Sequence, residues 1–278
     1  MRSHDNQSWQ ELSSALRENR HDGDARIAVF AGHPDDETIG ASTLLAHFAS
    51  PRVIYLTDGA PRDRNLWSPD FQGTREAYSL LRRAEAGQAL RLAGLSDGQI
   101  DWLGGVDQEA IFSADALVCR LSELLRKVEV DVLVTHPYEG GHPDHDTAAL
   151  LAHLAIHTLG RESAPLLVEM TSYHAHDGQC VSGMFLSPDT AQELQLHLSE
   201  AERTRKADML AAYASQRRVL EAFPIDHERF RAAPEYDFTC APHQGKLWYE
   251  CMAWPMTGRQ WRALAMRKIA GVQELSCP

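Results

Sequence analysis

The sequence predicts an α/β fold: a Rossmann-like, doubly wound and mostly parallel sheet with helices on both faces and an irregular C-terminal lobe. Three observations carry this. Short apolar runs alternate with longer stretches of helical periodicity from Arg26 to about residue 170. The runs are apolar at most positions, as strands covered on both faces must be. The stretches between them are long enough to act as the crossovers that parallel strands require.

Residues 1–24 read as an N-terminal extension, with one helix around Trp9 to Glu18 whose Trp9, Leu12 and Leu16 form a narrow apolar stripe for packing on the core. A single domain is expected over 25–278. Its strands are placed at 26–31 (RIAVFA), 52–57 (RVIYLT), 100–103 (IDWL), 131–135 (DVLVT) and 166–170. Helices are expected near 37–49, 74–94, 113–128 and 144–159. A further helical stretch is read near 189–221, followed by a segment rich in Pro and aromatics over 224–256. The part from about 180 to 278 is expected to cap the sheet and wall its pocket.

Composition narrows the function. The 278 residues carry a net charge of −12, which argues against a nucleic-acid binder with a basic face. No apolar run approaches the length of a membrane span. The first 25 residues are rich in polar and charged side chains and lack the apolar centre of a signal peptide. Cys119, Cys180, Cys240, Cys251 and Cys277 form no CxxC pair and are odd in number, so a disulfide framework is not expected and a cytoplasmic location fits best.

Two segments concentrate the chemistry. In AGHPDDETIG, residues 31–40, an apolar strand ends and His33, Asp35, Asp36 and Glu37 follow before a helix. A strand-to-helix turn stiffened by Pro34 can bring His33 and Asp36, three apart, onto one divalent ion. In HPYEGGHPDHD, residues 136–146, a second strand leads into a helix with Pro143 at its first position. His142 and His145 lie one turn apart there and can face one cavity. With strand order 3-2-1-4-5, the first and fourth strands are neighbours at the switch point, so both motifs meet where such sheets bind ligands. Three protein ligands with an open fourth position, and no Cys nearby, is the pattern of a catalytic zinc.

The HPDDE after the first strand and the HPDH after the fourth resemble the motifs of the PIG-L/LmbE-like deacetylases. The resemblance covers roughly residues 26–180, and YASQ at 213–216 and YDF at 236–238 also resemble features of bacterial members. It implies zinc ligands at His33, Asp36 and His145, a general base at Asp35, and stabilisation of the tetrahedral intermediate by His142. It further implies hydrolysis of an N-acetyl group on an N-acetylglucosamine-containing small molecule or glycoconjugate. The chemistry agrees with these roles: a zinc held there would supply a Lewis acid for the acetamide carbonyl, Asp35 could accept the water proton, and an N–H of His142 could donate to the developing oxyanion. Fe2+ or Co2+ could occupy the same ligands as Zn2+.

Other residues carry weaker expectations. Asp58 and Asp107, in loops after the second and third strands, are candidates for substrate binding, as is Arg75, although Arg62 and Arg75 both read more readily as solvated surface than as contacts to a sugar or phosphate. His136 is placed to support a metal ligand. Tyr173, His174, His243 and Trp254 are possible cavity-lining residues, His47, His153 and His157 read as packing or surface, and Glu37 as a helix cap. Two alternatives stay open: hydrolysis of another amide or ester, because zinc and a base do not select a sugar, and a non-catalytic sugar-binding module. The second has no use for Asp35 beside an open metal position. A nucleotide-binding domain would need a GxGxxG after the first strand, which is absent.

Overall fold

The computed structural model describes residues 3–18, 25–160, 164–187 and 193–274. Its first half is a regular βα alternation: α1 (Ser3–Arg17), β1 (Ile27–Ala31), α2 (Asp36–His47), β2 (Arg52–Thr57), α3 (Arg75–Leu92), β3 (Ile100–Gly105), α4 (Ala114–Val128), β4 (Val132–Thr135), α5 (Pro143–Leu159) and β5 (Leu166–Met170). The second half adds a hairpin of β6 (Tyr173–His176) and β7 (Gln179–Ser182), then β8 (Glu193–His197), α6 (Glu200–Ala212), α7 (Arg217–Leu220), β9 (His227–Ala232), α8 (Trp248–Cys251) and α9 (Gly258–Glu274).

The main sheet has the order β3-β2-β1-β4-β5-β9-β8. β3, β2, β1, β4 and β5 are parallel, and β1 lies between β2 and β4 with Ala28 opposite both Arg52 and Leu133. The chain leaves β1 toward one side of the sheet and resumes on the other at β4, so the crevice at their carboxyl ends is the switch point. Side chains of β1 alternate between two cores, as a pleated strand requires. Ala28 and Phe30 join Leu121, Leu150 and Trp261 on the face covered by α4, α5 and α9, while Ile27, Val29 and Ala31 join Leu44, Leu90 and Met209 on the face covered by α2, α3 and α6. Trp9 and Leu16 of α1 are buried in this second core.

The C-terminal region departs from expectation. Instead of an irregular lobe beside a five-stranded sheet, β9 pairs antiparallel with β5 and β8 with β9, extending the sheet to seven strands. The helical stretch read over 189–221 contains β8 before its helix begins at Glu200, and residues 188–192 lie outside the described residues. The segment 224–256 contains β9 and the short α8. Helix α9, for which no element was expected, buries Trp261, whose Nε1–H donates to Pro143 O at 3.1 Å and Thr147 Oγ1 at 3.0 Å. It therefore braces the first turn of α5, where His142 and His145 emerge. Among the described residues no helix is long and apolar enough to cross a membrane, and Cys119, Cys180, Cys240 and Cys251 form no disulfide.

Candidate active site

The turn after β1 begins at Gly32, which must be glycine: a Cβ there would lie 2.9 Å from His145 Cδ2 and 3.2 Å from Asp36 Oδ2. Gly32 N–H donates to His136 Nε2 at 3.0 Å, tying the end of β1 to the end of β4. The turn then passes through Asp35 at φ 122°, a conformation that costs a non-glycine residue about 1–3 kcal/mol and persists only where its surroundings hold it. As a result the two adjacent carboxylates diverge. Asp36 Oδ2 accepts from His33 N–H at 2.8 Å and lies 3.2 Å from both His33 Nδ1 and His145 Nε2, with His136 Nε2 at 3.4 Å. Asp35 turns away, to Arg82 Nη2 at 2.9 Å.

The turn after β4 supplies the other half. It packs so tightly that a Cβ on Gly141 would lie 2.0 Å from Tyr173 O. His142 is the N-cap of α5, its Nδ1 accepting Asp144 N–H at 3.1 Å. An accepting Nδ1 leaves the hydrogen of a neutral ring on Nε2. Burial, with the neighbouring His33 and His145, holds the His142 pKa well below its ordinary value, so the ring is neutral at pH 7. His145, one turn on, has its Nδ1 3.3 Å from Ser172 Oγ, and its ring stacks on His136 at 3.9 Å. Burial lowers its pKa to about 3.

Electrostatics separates the groups further. Burial alone would raise the Asp36 pKa, but the imidazoles of His145 and His136 hold it well below the usual carboxylate range. Burial raises Asp35 to about 7 against the pull of Arg82, with Asp36 adding to the rise. For His33, burial works downward, yet Asp107, Asp144 and Asp36 hold its pKa well above the ordinary value.

The donor set fits a divalent ion. His145 Nε2 is buried without a hydrogen bond and faces Asp36, while His33 Nε2 is taken up by Asp144 Oδ2 at 3.1 Å, leaving Nδ1 toward Asp36. A carboxylate on the far nitrogen of a ligating imidazole is the usual way to fix its tautomer. Among the described residues three groupings have ligand atoms within 4.8 Å of one another: His33, His142 and His145; His33, Asp107, His142 and Asp144; and Asp36, His136 and His145. His33, Asp36 and His145, expected from the sequence, are thus brought together around Asp36 Oδ2, with His136 and His142 also within reach of the cluster.

The remaining expected residues divide. Arg75 Nη2 pairs with Asp58 Oδ2, their side chains 22% and 12% exposed. Asp107 Oδ1 lacks a hydrogen bond and lies 3.4 Å from His33 Nε2 and 3.9 Å from His142 Nε2. Tyr173 stands over His145 at 5.2 Å and Trp254 over His142 at 4.7 Å. His174 turns to Glu139 instead, Arg62 pairs with Glu109, and His243 bonds Gln244 O. His153 packs on Tyr236 and Phe238. Glu37 does more than cap: one oxygen accepts Asp35 N–H at 3.0 Å and the other Tyr213 O–H at 2.5 Å. Sequence reasoning missed Asp144 and Arg82. The first was signalled by its place inside HPDH; the second sits in an ordinary helical pattern with nothing to mark it.

Comparison with known proteins finds similarity to one family model over part of the chain, to curated proteins and to solved structures. Residues 28–156 match PIG-L, described as GlcNAc-PI de-N-acetylase. A probable N-acetyl-alpha-D-glucosaminyl L-malate deacetylase 2 of Bacillus subtilis is 25% identical over 190 residues, 66% of this chain and 85% of that protein. Among solved structures, an N,N'-diacetylchitobiose deacetylase from Pyrococcus horikoshii aligns with TM-score 0.53 at 19% identity, over 78% of this chain and 82% of that one. A 4-carboxy-2-hydroxymuconate hydratase, GalB, from Pseudomonas putida aligns with TM-score 0.55 at 16% identity, over 77% of this chain and 98% of that one. At these identities the structures share the fold, and that fold carries more than one chemistry. Residues 28–156, the part of the chain that matches the PIG-L family model, hold both His-Pro-Asp motifs and the whole cluster from His33 to His145.

Proposed function

We propose that the chain is a zinc-dependent deacetylase that hydrolyses the N-acetyl group of an N-acetylglucosamine-containing substrate, releasing acetate and a free amine. The observation that carries this reading is the split of two adjacent carboxylates. Asp36 is shared between His33 and His145 at 3.2 Å from each, while Asp35, beside it, stays out of that cluster. His33 Nδ1, Asp36 Oδ2 and His145 Nε2 would hold the ion. Two imidazoles and a carboxylate suit zinc, and Fe2+ or Co2+ use the same donors. When bound, the ion supplies a Lewis acid that polarises the acetamide carbonyl and acidifies a water.

The chain's own groups do the rest. Asp35 takes the proton of the attacking water, and Arg82 fixes the direction of its carboxylate. The Nε2–H of neutral His142 is a fixed donor for the oxyanion that develops on the carbonyl, held by the Asp144 N–H on its other nitrogen. Asp35, once protonated, returns the proton to the leaving amine. Asp58, Arg75 and Asp107 line the approach with paired charges and one unpaired oxygen suited to sugar hydroxyls. The deacetylase relatives support the amide bond as the one cleaved.

The test is acetate release from N-acetylglucosamine, N,N'-diacetylchitobiose and further N-acetyl sugars, with zinc-loaded and chelator-treated protein. Release that is lost on chelation and restored by zinc is expected. Hydrolysis of simple esters or other amides with no acetate from any N-acetyl sugar would transfer the site to a different substrate class.

A further inference from the structure

Both anchors of the strained Asp35 turn are themselves held by one short segment, Tyr213 to Ser215, 130 or more residues further along the chain. On the backbone side, Glu37 accepts Asp35 N–H at 3.0 Å with one oxygen, and its other oxygen accepts Tyr213 O–H at 2.5 Å. On the side-chain side, Arg82 Nη2 donates both to Pro34 O and to Asp35 Oδ2, while its Nη1 lies 3.4 Å from Glu85 Oε2. Glu85 in turn accepts Ser215 N–H at 2.8 Å and Ser215 O–H at 2.6 Å. Every member is largely or fully closed off: Glu37 and Tyr213 are 0% exposed, Arg82 2% and Glu85 5%. Gln216 extends the contact, donating to Tyr78 O–H oxygen at 2.9 Å on the same helix that carries Arg82.

Such a path is unusual for mere packing. A buried guanidinium needs a charge partner, and Glu85, one turn away, already supplies one. Here the guanidinium also spans the carbonyl and the carboxylate of consecutive residues across a turn at φ 122°. Removing either anchor frees a backbone that has lower-energy conformations to relax into. We propose that Tyr213 and Ser215 are positioning residues for Asp35, Tyr213 acting through Glu37 on its backbone and Ser215 through Glu85 and Arg82 on its carboxylate. The inference rests on the reading of Asp35 as the proton acceptor. The segment between α6 and α7 thereby sets the geometry of a turn at the opposite end of the sequence.

The experiment is a mutant cycle on zinc-loaded protein, with N-acetylglucosamine as probe substrate and acetate release as readout. Tyr213→Phe and Ser215→Ala should each lower kcat about 10-fold, the scale of a modest misplacement of a catalytic group, with KM and metal content unchanged. Ser215→Thr, which keeps the hydroxyl, should restore the rate. In an Asp35→Asn background neither substitution should cost anything further, because the group they position is already disabled. Amide exchange over residues 33–38 should quicken in both single variants. The clamp is overturned if the single variants keep the wild-type kcat, or if they lower it by the same factor with Asn at position 35. If Asp35→Asn alone retains the full rate, the proton-acceptor reading fails first, and that result is visible before the cycle is closed.

Discussion

Asp35 and Asp36 are neighbours in the chain yet meet different partners, three imidazoles for one and a guanidinium for the other. Asp35→Asn keeps the shape of the side chain and its contact with Arg82 but cannot accept a proton at neutral pH. We expect retained metal and a rate lower by about 10²- to 10⁴-fold, the usual worth of a general base. Asp36→Ala should lose the ion, because it removes the oxygen that His33 and His145 share. Metal analysis beside kinetics checks both, and the reverse pattern would exchange the two roles. The spacing of His33 and Asp36 across a turn pointed to their convergence, and the two side chains do meet, at 3.2 Å. What actually turns Asp35 away was not legible. Its positive φ is imposed by Arg82 and Glu37, and Arg82 reads in α3 as one more arginine on a helix whose partner lies 47 residues earlier.

At the level of elements, the same limit applies to charge buried inside the fold. Helix α2 is broken at Ala41, with φ −144°. In a regular helix Thr43 N–H would bond Ile39 C=O; here Thr43 N–H goes to Glu228 Oε2 at 3.1 Å and Ile39 O takes Lys206 Nζ at 2.7 Å, while Lys206 and Glu228 pair at 3.1 Å, both side chains 0% exposed. The ion pair stands in for the missing helical bond and locks α2 to α6 and β9. Lys206→Met strands Glu228 in the interior and should lower the unfolding free energy by about 3–5 kcal/mol in urea titrations, with part recovered on adding Glu228→Gln. This charge also explains why β9 escaped notice: HERFRA alternates, burying Glu228, Phe230 and Ala232, but one of the three inward residues is an acid. Leu194 and Leu196 of β8 alternate too, yet run into the helical pattern of α6 and were absorbed by it. By contrast β1, β2 and β4 are apolar on both faces and needed no context. His153, read from sequence as packing or surface, has its pKa lowered to about 4 by burial. The unfolded ring titrates near 6.5, so this term is fully present above that pH and is lost as pH falls toward 4, because only the unfolded chain takes the proton. Between pH 7 and 5 it should cost about 2 kcal/mol, and His153→Leu should lose that share of the acid sensitivity in paired urea titrations.

For the molecule as a whole, the site is the join between two halves of the sheet. His33 and Asp36 leave the end of β1, His145 comes from the helix after β4, and these strands are joined there by backbone pairing, by Gly32 N–H on His136 and by side chains crowded around Asp36. An ion bound by residues on both strands exists only in the folded chain, so it adds RT ln(1 + [L]/Kd) to stability, about 4 kcal/mol at a thousandfold excess over Kd. For a domain of this size that corresponds to a rise in Tm on the order of 10 °C, read by thermal unfolding of chelator-treated protein with and without added zinc. The shift also decides among the groupings that geometry permits, since His142 and His136 stand close enough to compete for the ion. If His33, Asp36 and His145 are the ligands, Asp36→Ala and His145→Ala should abolish the zinc-dependent rise. His142→Ala should keep most of it while slowing turnover by roughly 10²- to 10³-fold, the cost of removing one oxyanion donor. A zinc shift that disappears in His142→Ala but survives in Asp36→Ala would move the ion to the His33, His142 and His145 grouping, and with it the oxyanion donor would have to be found elsewhere.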